Sequence, residues 1–440
     1  MKKVIHFVLL LFFPISLMAS LPDDKFHSSE QLLQYIMEGK GEQAHLMLSD
    51  NVKSLISVDQ MNNLWKGLVA IAGDYQNKSE WKEQNVSGKT VYYCDLRFSH
   101  KTLRCNTAFD KNGLATTLNF VPSPLQAPPP MVYVNDSVMQ EKGIKVVTGK
   151  FELPGTLCMP KGKTMVPVVI LVSGSGANDR DETIGPNKPF RDLAHGLAKE
   201  GIASIRYDKR TLVYGNKSVP EGEEPSMENE YVQDVLSAVR LAKNISGVDS
   251  SRIFIVGHSQ GAYLAPRLAQ RCRDIKGIVM MSGNARHLAD LLPEQIGYLY
   301  SLDSLTSEKK KQLDDLKVQV ANVKKLGKKG FDSGIALPLG LPASYWKDIN
   351  EYNQLKVAKS LKCPILILQG ERDYQVTMTD FLLWHKNLNG RKNVSFRSYP
   401  KLNHLYMEGT GKSSPTEYFK PATIPDYVSQ ELAEWINKQK

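Results

Sequence analysis

From about residue 142 to the C-terminus, short continuous apolar runs alternate with stretches whose apolar residues recur every three or four positions. "KGIKVVTG" and "FELPGTLCMP" read as an opening pair of strands. Then come the strand "VVILVSG", a helix around "FRDLAHGLAKEG", the strand "ASIRYD" and a helix around "YVQDVLSAVRLAKN". "RIFIVG", a helix around "AYLAPRLAQRC" and the strand "KGIVMMSG" continue the alternation. A mostly helical insertion, Asn284 to Tyr352, interrupts it. "CPILILQG", a helix around "TDFLLWHKNL", "VSFRSYP" and the helix "YVSQELAEWINKQ" complete it. Unbroken apolar strands alternating with helices predict a mostly parallel sheet covered on both faces, here with an antiparallel edge.

The pattern before residue 136 differs. Ser28-x-x-Gln31 and Ser57-x-x-Gln60 read as capping boxes, each opening an apolar-periodic helix. From about Trp81 the period drops to two. "KTVYYCDLRF", "LRCNTAF" and "LATTLNFV" predict antiparallel strands, the last two joined by the turn "DKNG". "PSPLQAPPP" then reads as a stiff linker. The expected layout is a small α+β domain at residues 21–121, a proline-rich linker at 122–135, and an α/β domain at 136–440 with a helical cap at about 284–352. Residues 1–20 stand apart. Lys2 and Lys3 precede an apolar run too short for a comfortable membrane span, and Ala19 and Ser20 follow it. That is the pattern of a signal peptide, so the mature chain is expected to be exported, periplasmic or extracellular, with no stable membrane span.

Composition adds less. Apolar residues are 42% and charged residues 23%, ordinary for a globular chain. Five cysteines are too few for a disulfide scaffold. Cys94 and Cys105 sit symmetrically about "FSHK". A hairpin turning at Ser99-His100 sets them opposite each other, as a disulfide or as two buried thiols. No Cys/His spacing suggests zinc. The net charge of +10 comes largely from the leader and from Glu308 to Gly330. There Leu313, Leu316, Val320 and Val323 fall at helical spacing with lysines between them, which predicts an amphipathic helix with a solvated face. No nucleic-acid-binding motif is present.

Candidate chemistry gathers at the strand ends. Gly257-His258-Ser259-Gln260-Gly261 fits G-x-S-x-G between an apolar strand and a helix. A serine there adopts a strained conformation that lifts its Oγ clear of the sheet, and side chains at the flanking glycines would strike neighbouring backbone. Asp373 follows the strand "PILILQG" and His404 follows "VSFRSYP". Ser259, Asp373 and His404, in that order on strand ends sharing one sheet edge, can converge as nucleophile, orienting acid and base. Glu371, Asp380 and Asp290 are the rival carboxylates. The stretch "VVILVSGSGANDRDE" invites a phosphate-loop reading, but Gly174-x-Gly176 lacks the third glycine and no Gly-Lys-Ser/Thr follows. The charged "ANDRDE" reads instead as an internally paired loop that holds the turn.

With these segments in view, residues 136–440 resemble the α/β-hydrolase superfamily. More narrowly, they resemble exported serine carboxylesterases in which a small domain of unknown role precedes the hydrolase. "LVSGSGANDRDE", "IRYDKR", "GHSQGA", "YWKDINEYN", "ILILQGERDYQV" and "LNHLY" carry the resemblance, and the N-terminal helices and strands ending in "NFVPSP" resemble the accessory domain. Two departures stand out: Thr211-Leu212 follows "YDKR" where the family often has glycine, and Ser173-Gly174 replaces the frequent His-Gly. The resemblance implies hydrolysis of short-chain carboxylic esters through an acyl-enzyme, with no cofactor. It also implies an oxyanion hole made of the N–H groups of Ser175, with Gly176 as rival, and Gln260. Tyr345 and Trp346 of the insertion either cover the site or pack the cap. A serine exopeptidase, a carbohydrate acetyl esterase, or a binding protein with secondary hydrolase activity are the alternative functions. The expected partner is a small-molecule ester, and a homodimer is compatible with the chain.

Overall fold

The computed structural model describes residues 25–53, 56–86, 89–99, 102–123, 133–302, 305–328 and 335–439. The expected leader, most of the proline-rich stretch, and His100 of the expected hairpin turn lie outside them. The chain divides into two compact units, residues 1–130 and 131–440.

In the first unit, helices α1 (Lys25–Met37), α2 (Gly41–Leu46), α3 (Asp50–Lys53) and α4 (Val58–Ala72) precede five strands. These are β1 (Tyr75–Lys78), β2 (Lys82–Val86), β3 (Lys89–Phe98), β4 (Thr102–Phe109) and β5 (Ala115–Pro122). All pairings are antiparallel, in the order β1-β3-β4-β5, with β2 also bonded to β3. The polar strands β1 and β2 lack the alternation that makes a strand visible in sequence. Ser57 forms the expected capping box: its Oγ accepts from Gln60 N–H, and Gln60 Oε1 accepts from Ser57 N–H. Ser28 does not. It lies inside α1, where the ring of Phe26 packs edge-on against Tyr92 at 5.0 Å and ties down an earlier turn. At "DKNG", Asp110 Oδ1 accepts from Asn112 and Leu114 N–H, and Gly113 takes φ 79°. Cys94 and Cys105 stand opposite in register, both fully buried, as free thiols.

In the second unit the apolar runs become strands buried along their length; β8 (Val166–Val172) is buried at every position. Before it come β6 (Met139–Thr148) and β7 (Phe151–Pro160). After it come α5 (Pro189–Lys199), β9 (Ala203–Tyr207), α6 (Arg210–Tyr214), α7 (Gln233–Ala242), β10 (Val248–His258), α8 (Gln260–Arg271) and β11 (Gly277–Met281). The insertion forms α9 (Leu288–Ser301), α10 (Ser307–Val323) and α11 (Ala343–Glu351). Then follow α12 (Gln354–Ser360), β12 (Ile365–Gly370), α13 (Met378–Leu388), β13 (Val394–Tyr399) and α14 (Asp426–Lys438).

The sheet order is β13-β12-β11-β10-β8-β9-β7-β6. Every neighbouring pair from β13 to β9 is parallel, and β7 with β6 forms the antiparallel edge. One face buries Leu193, Leu197, Val428 and Leu432 of α5 and α14. The other buries Val235, Leu264, Leu268 and Trp384 of α7, α8 and α13. In the cap, α10 buries Val320 and Val323 and leaves Lys310, Lys311 and Lys317 exposed, as its spacing predicts. Among the described residues no helix is long and apolar enough to cross a membrane.

Candidate active site

Ser259 sits between β10 and α8 with φ 53° and ψ −116°, a left-handed backbone that a non-glycine residue adopts only under strain. Its N–H donates to Met281 O (2.8 Å), which pins the turn to the end of β11. The flanking glycines are required by contact. A Cβ at Gly257 would strike Gly261 O, and one at Gly261 would strike Val172 O at the end of β8. Gln260 opens α8, and an N–H in a helix's first turn has no carbonyl four residues back to bond.

His404 and Asp373 meet on the loops that follow β13 and β12. His404 Nδ1 lies 2.7 Å from Asp373 Oδ2, with both residues almost wholly buried. Asp373 Oδ1 accepts from Gln375 and Val376 N–H (2.7 and 3.0 Å), and Gln369 Nε2 donates to Oδ2 at 3.3 Å. A carboxylate partner places the imidazole proton on Nδ1 and leaves Nε2 as the basic nitrogen. The loops that carry the pair are interlocked. A Cβ at Gly370 would meet Asn403 O at 2.5 Å, and Arg372 N–H donates to Leu402 O. Asn403 Oδ1 caps Leu405 and Met407 N–H. The rival carboxylates are engaged elsewhere: Glu371 by Ser398, Asp380 by Arg286, and Asp290 by Lys324.

Sequence reasoning missed a second pair. His258, immediately before Ser259, faces acceptors on both ring nitrogens. Nε2 lies 2.8 Å from His404 O, and Nδ1 lies 2.9 Å from Glu182 Oε2, out of line for a hydrogen bond. Two acceptors call for the doubly protonated ring. Burial disfavours that charge, but Glu182, the His404 carbonyl and Asp373 together hold the His258 pKa above the ordinary value. Glu182 Oε1 in turn accepts from Gly174 N–H at 2.6 Å. One ion pair thereby joins the serine turn, the His404 loop and the loop after β8. The signal was available: a histidine that ends the apolar run Ile253 to Gly257 is a buried polar group in need of partners.

The loop after β8 is paired internally, with Asp179 accepting from Asp181 and Thr183 N–H (3.1 and 2.9 Å) and from Thr183 Oγ1 (2.7 Å), and it is paired outward as well. Arg180 grips Asp208 (2.9 and 2.7 Å), and Asp181 pairs with Arg206 (2.8 Å) and Lys188. Gly174 lies against the Ser259 turn, since a Cβ on it would come within 3.5 Å of Ser259 Oγ. Its carbonyl accepts from Asn178 Nδ2 (3.0 Å), Lys209 Nζ (3.1 Å) and Tyr231 Oη (2.7 Å). Ser175 is exposed, and Gly176 takes φ 91°.

A parallel sheet of this strand order, with a serine turn after its fifth strand, defines the α/β-hydrolase class. Residues 187–409 match the family described as Serine aminopeptidase, S33, and residues 29–115 match one described as a protein of unknown function, DUF3887. The chain is 36% identical over 409 residues to Esterase EstD of Thermotoga maritima, covering 92% of this chain and 94% of that one. The chain therefore belongs to the α/β-hydrolase esterases with an N-terminal DUF3887 domain, and is a carboxylic ester hydrolase. Similar solved structures include Est1E from Butyrivibrio proteoclasticus, at 17% identity and TM-score 0.43, covering 68% of this chain and 98% of that one. The Pyrococcus furiosus esterase Pf2001 is similar at 17% identity and TM-score 0.43, covering 71% and 97%.

Proposed function

We propose that the chain hydrolyses short-chain carboxylic esters through an acyl-enzyme on Ser259. Ser259 Oγ attacks the ester carbonyl while His404 Nε2 takes its proton and passes it to the leaving alcohol. Water activated by the same nitrogen then releases the acid. Asp373 holds the tautomer and stabilises the imidazolium. The N–H groups of Ser175 and Gln260 receive the oxyanion. The observation that carries this reading is the buried 2.7 Å pair of His404 and Asp373 beside a serine held at φ 53°.

Purified chain is expected to release nitrophenol from nitrophenyl acetate and butyrate and to leave the matching anilides intact. Ser259→Ala is expected to lose that turnover. A fully active Ser259→Ala overturns the assignment, and faster cleavage of anilides moves it to a peptidase. Export belongs to the same proposal and is supported by the leader-like residues 1–20. Fractionation of expressing cells tests it, and full-length chain retained in the cytosol would refute it.

A further inference from the structure

The search for groups left unused by this mechanism ends on a buried lysine. Lys209 follows β9 and is 3% exposed. Its ammonium has three N–H donors and finds three acceptors: Gly174 O (3.1 Å), Tyr231 Oη (2.6 Å) and Glu230 Oε1 (2.7 Å). The Tyr231 ring also lies under the ammonium, 4.0 Å from it. Burial lowers the Lys209 pKa, and Glu230 opposes that. A fully paired ammonium remains the charged form.

Glu230 and Tyr231 stand on a π-helical turn, Glu228–Val232, that leads into α7. Such turns are rare and concentrate at functional sites. From this turn the network runs in two directions. Toward the nucleophile, Tyr231 Oη donates to Gly174 O and lies 3.2 Å from Gln260 Oε1. Toward the cap, Tyr345 of α11 donates to Glu230 Oε2 (2.6 Å) and accepts from Gln260 Nε2 (3.0 Å). Tyr345 is 5% exposed, and burial, with Glu230 beside it, holds its pKa well above the ordinary value, so it stays a neutral donor.

The consequence lies in peptide geometry. A trans peptide is planar, with its C=O and N–H pointing opposite ways. Three donors fix the direction of Gly174 C=O, so they also fix the direction of Ser175 N–H, which leaves the other side of the same plane. Gly174 N–H is held independently by Glu182. The Gly176 N–H belongs to the next peptide, whose carbonyl, Ser175 O, is held by Asn178 Nδ2 alone (2.9 Å), so the three-donor Gly174 carbonyl favours Ser175 over its rival.

We propose that Lys209 is a positioning residue for the oxyanion site, and that Tyr345 is the latch through which seating of the cap sets the Ser175 peptide. This rests on the Ser259 and Ser175 reading above. The latch divides binding from chemistry. Substrate binds whether or not it is closed, whereas the tetrahedral oxyanion is stabilised only when Gly174 O is held.

Tyr345→Phe keeps the ring and removes the hydroxyl. It is expected to lower kcat about tenfold with KM within about twofold, less than the loss of a whole oxyanion donor. Phenylboronic acid, which forms a tetrahedral adduct on serine, is expected to bind this variant about tenfold more weakly. Gln260→Met retains the backbone N–H but drops the side-chain link, and is expected to behave likewise. Lys209→Met is expected to lower kcat about a hundredfold, and adding Tyr345→Phe to it should cost little more, because both act on one path. If Lys209→Met does not fold, the Tyr345 and Gln260 variants decide alone. Raised KM at unchanged kcat, or unchanged boronate affinity, overturns the latch and makes Tyr345 a packing residue. Ser259→Ala separates the two failures. If that variant is inactive while Tyr345→Phe matches the parent, the latch alone is wrong; if it is active, the serine reading falls first.

Discussion

In the N-terminal unit, Ser29 Oγ and Thr107 Oγ1 share one buried hydrogen bond of 2.7 Å, and Arg104 grips Asp95 with two of 2.9 and 3.0 Å. These two links are pairs of facing side chains. The hydrolase unit arranges its buried charges in chains. Glu141 takes Arg206 (2.7 Å) and His195 (2.9 Å), Arg206 takes Asp181, and Asp181 takes Lys188. A second chain runs from Glu182 through His258 to the His404 loop, and a third from Tyr345 through Glu230 and Lys209 to Gly174. Closed pairs hold strands in register. Chains that converge on the strand ends hold reactive atoms in place, and a half-satisfied chain would cost more than an apolar core. On this contrast, damage in the second unit should move turnover, and damage in the first should move only stability.

The largest effect belongs to the proposed triad of Ser259, His404 and Asp373. Asp373→Asn is expected to lower kcat by about four orders of magnitude with little change in melting temperature, because the wrong histidine tautomer survives folding. A loss below tenfold would shift the orienting role to another carboxylate. Next is the Glu141 chain. Burial alone would raise the Glu141 pKa, but His195 and Arg206 bring it down from 4.5 to about 2. A depressed carboxylate stabilises the fold above its unfolded value and loses that contribution as pH falls from 4.5 toward 2, here roughly 3 kcal/mol. Denaturant titrations of the parent and Glu141→Gln should therefore differ by about that much at pH 7 and converge near pH 2. A constant gap across that range would show that the carboxylate's charge is not what matters.

His258 runs the other way. With Glu182, Asp373 and the His404 carbonyl around it, its pKa is raised. Its contribution is full below the ordinary histidine value of about 6.5 and fades as pH climbs through the folded value. The melting temperatures of the parent and His258→Gln should be furthest apart below the ordinary histidine value and approach each other as pH rises above it. A gap that widens with pH would reverse the assigned charge. The smallest effect is in the N-terminal unit, where Ser57→Ala is expected to cost about 1 kcal/mol and leave turnover unchanged. A parallel fall in kcat would make that unit part of the catalytic apparatus.

Much of this was legible in the chain. The mostly parallel sheet with its antiparallel edge, the Ser259 turn and the loop positions of Asp373 and His404 follow from continuous apolar runs and from what must stand at their ends, whereas the order of the strands across the sheet does not. Two kinds of feature were not. β1 and β2 carry too few apolar residues to show a period: pairing with β3 holds both, and of their residues Tyr75 packs on the core. Glu182, His258, Lys209 and Glu230 are read in sequence as charges in loops or as motif spacers. Their meaning lies in contacts across tens of residues, such as the 2.6 Å bond of Tyr345 to Glu230. Ser28 misled because a capping signature says nothing of a ring two residues earlier that lengthens the helix.

The charged pair of Lys209 and Glu230 also bears on any attempt to harden this protein against heat. Buried ion pairs are often replaced by well-packed apolar side chains at no loss of stability, sometimes with a gain. A selection that scored only resistance to unfolding would therefore favour exchanging both residues together for aliphatic ones. The resulting protein would be tougher and slower, since the groups discarded are those that hold one carbonyl still. Durability and rate draw on the same two side chains here, and a screen for one has to carry the other as its counter-assay.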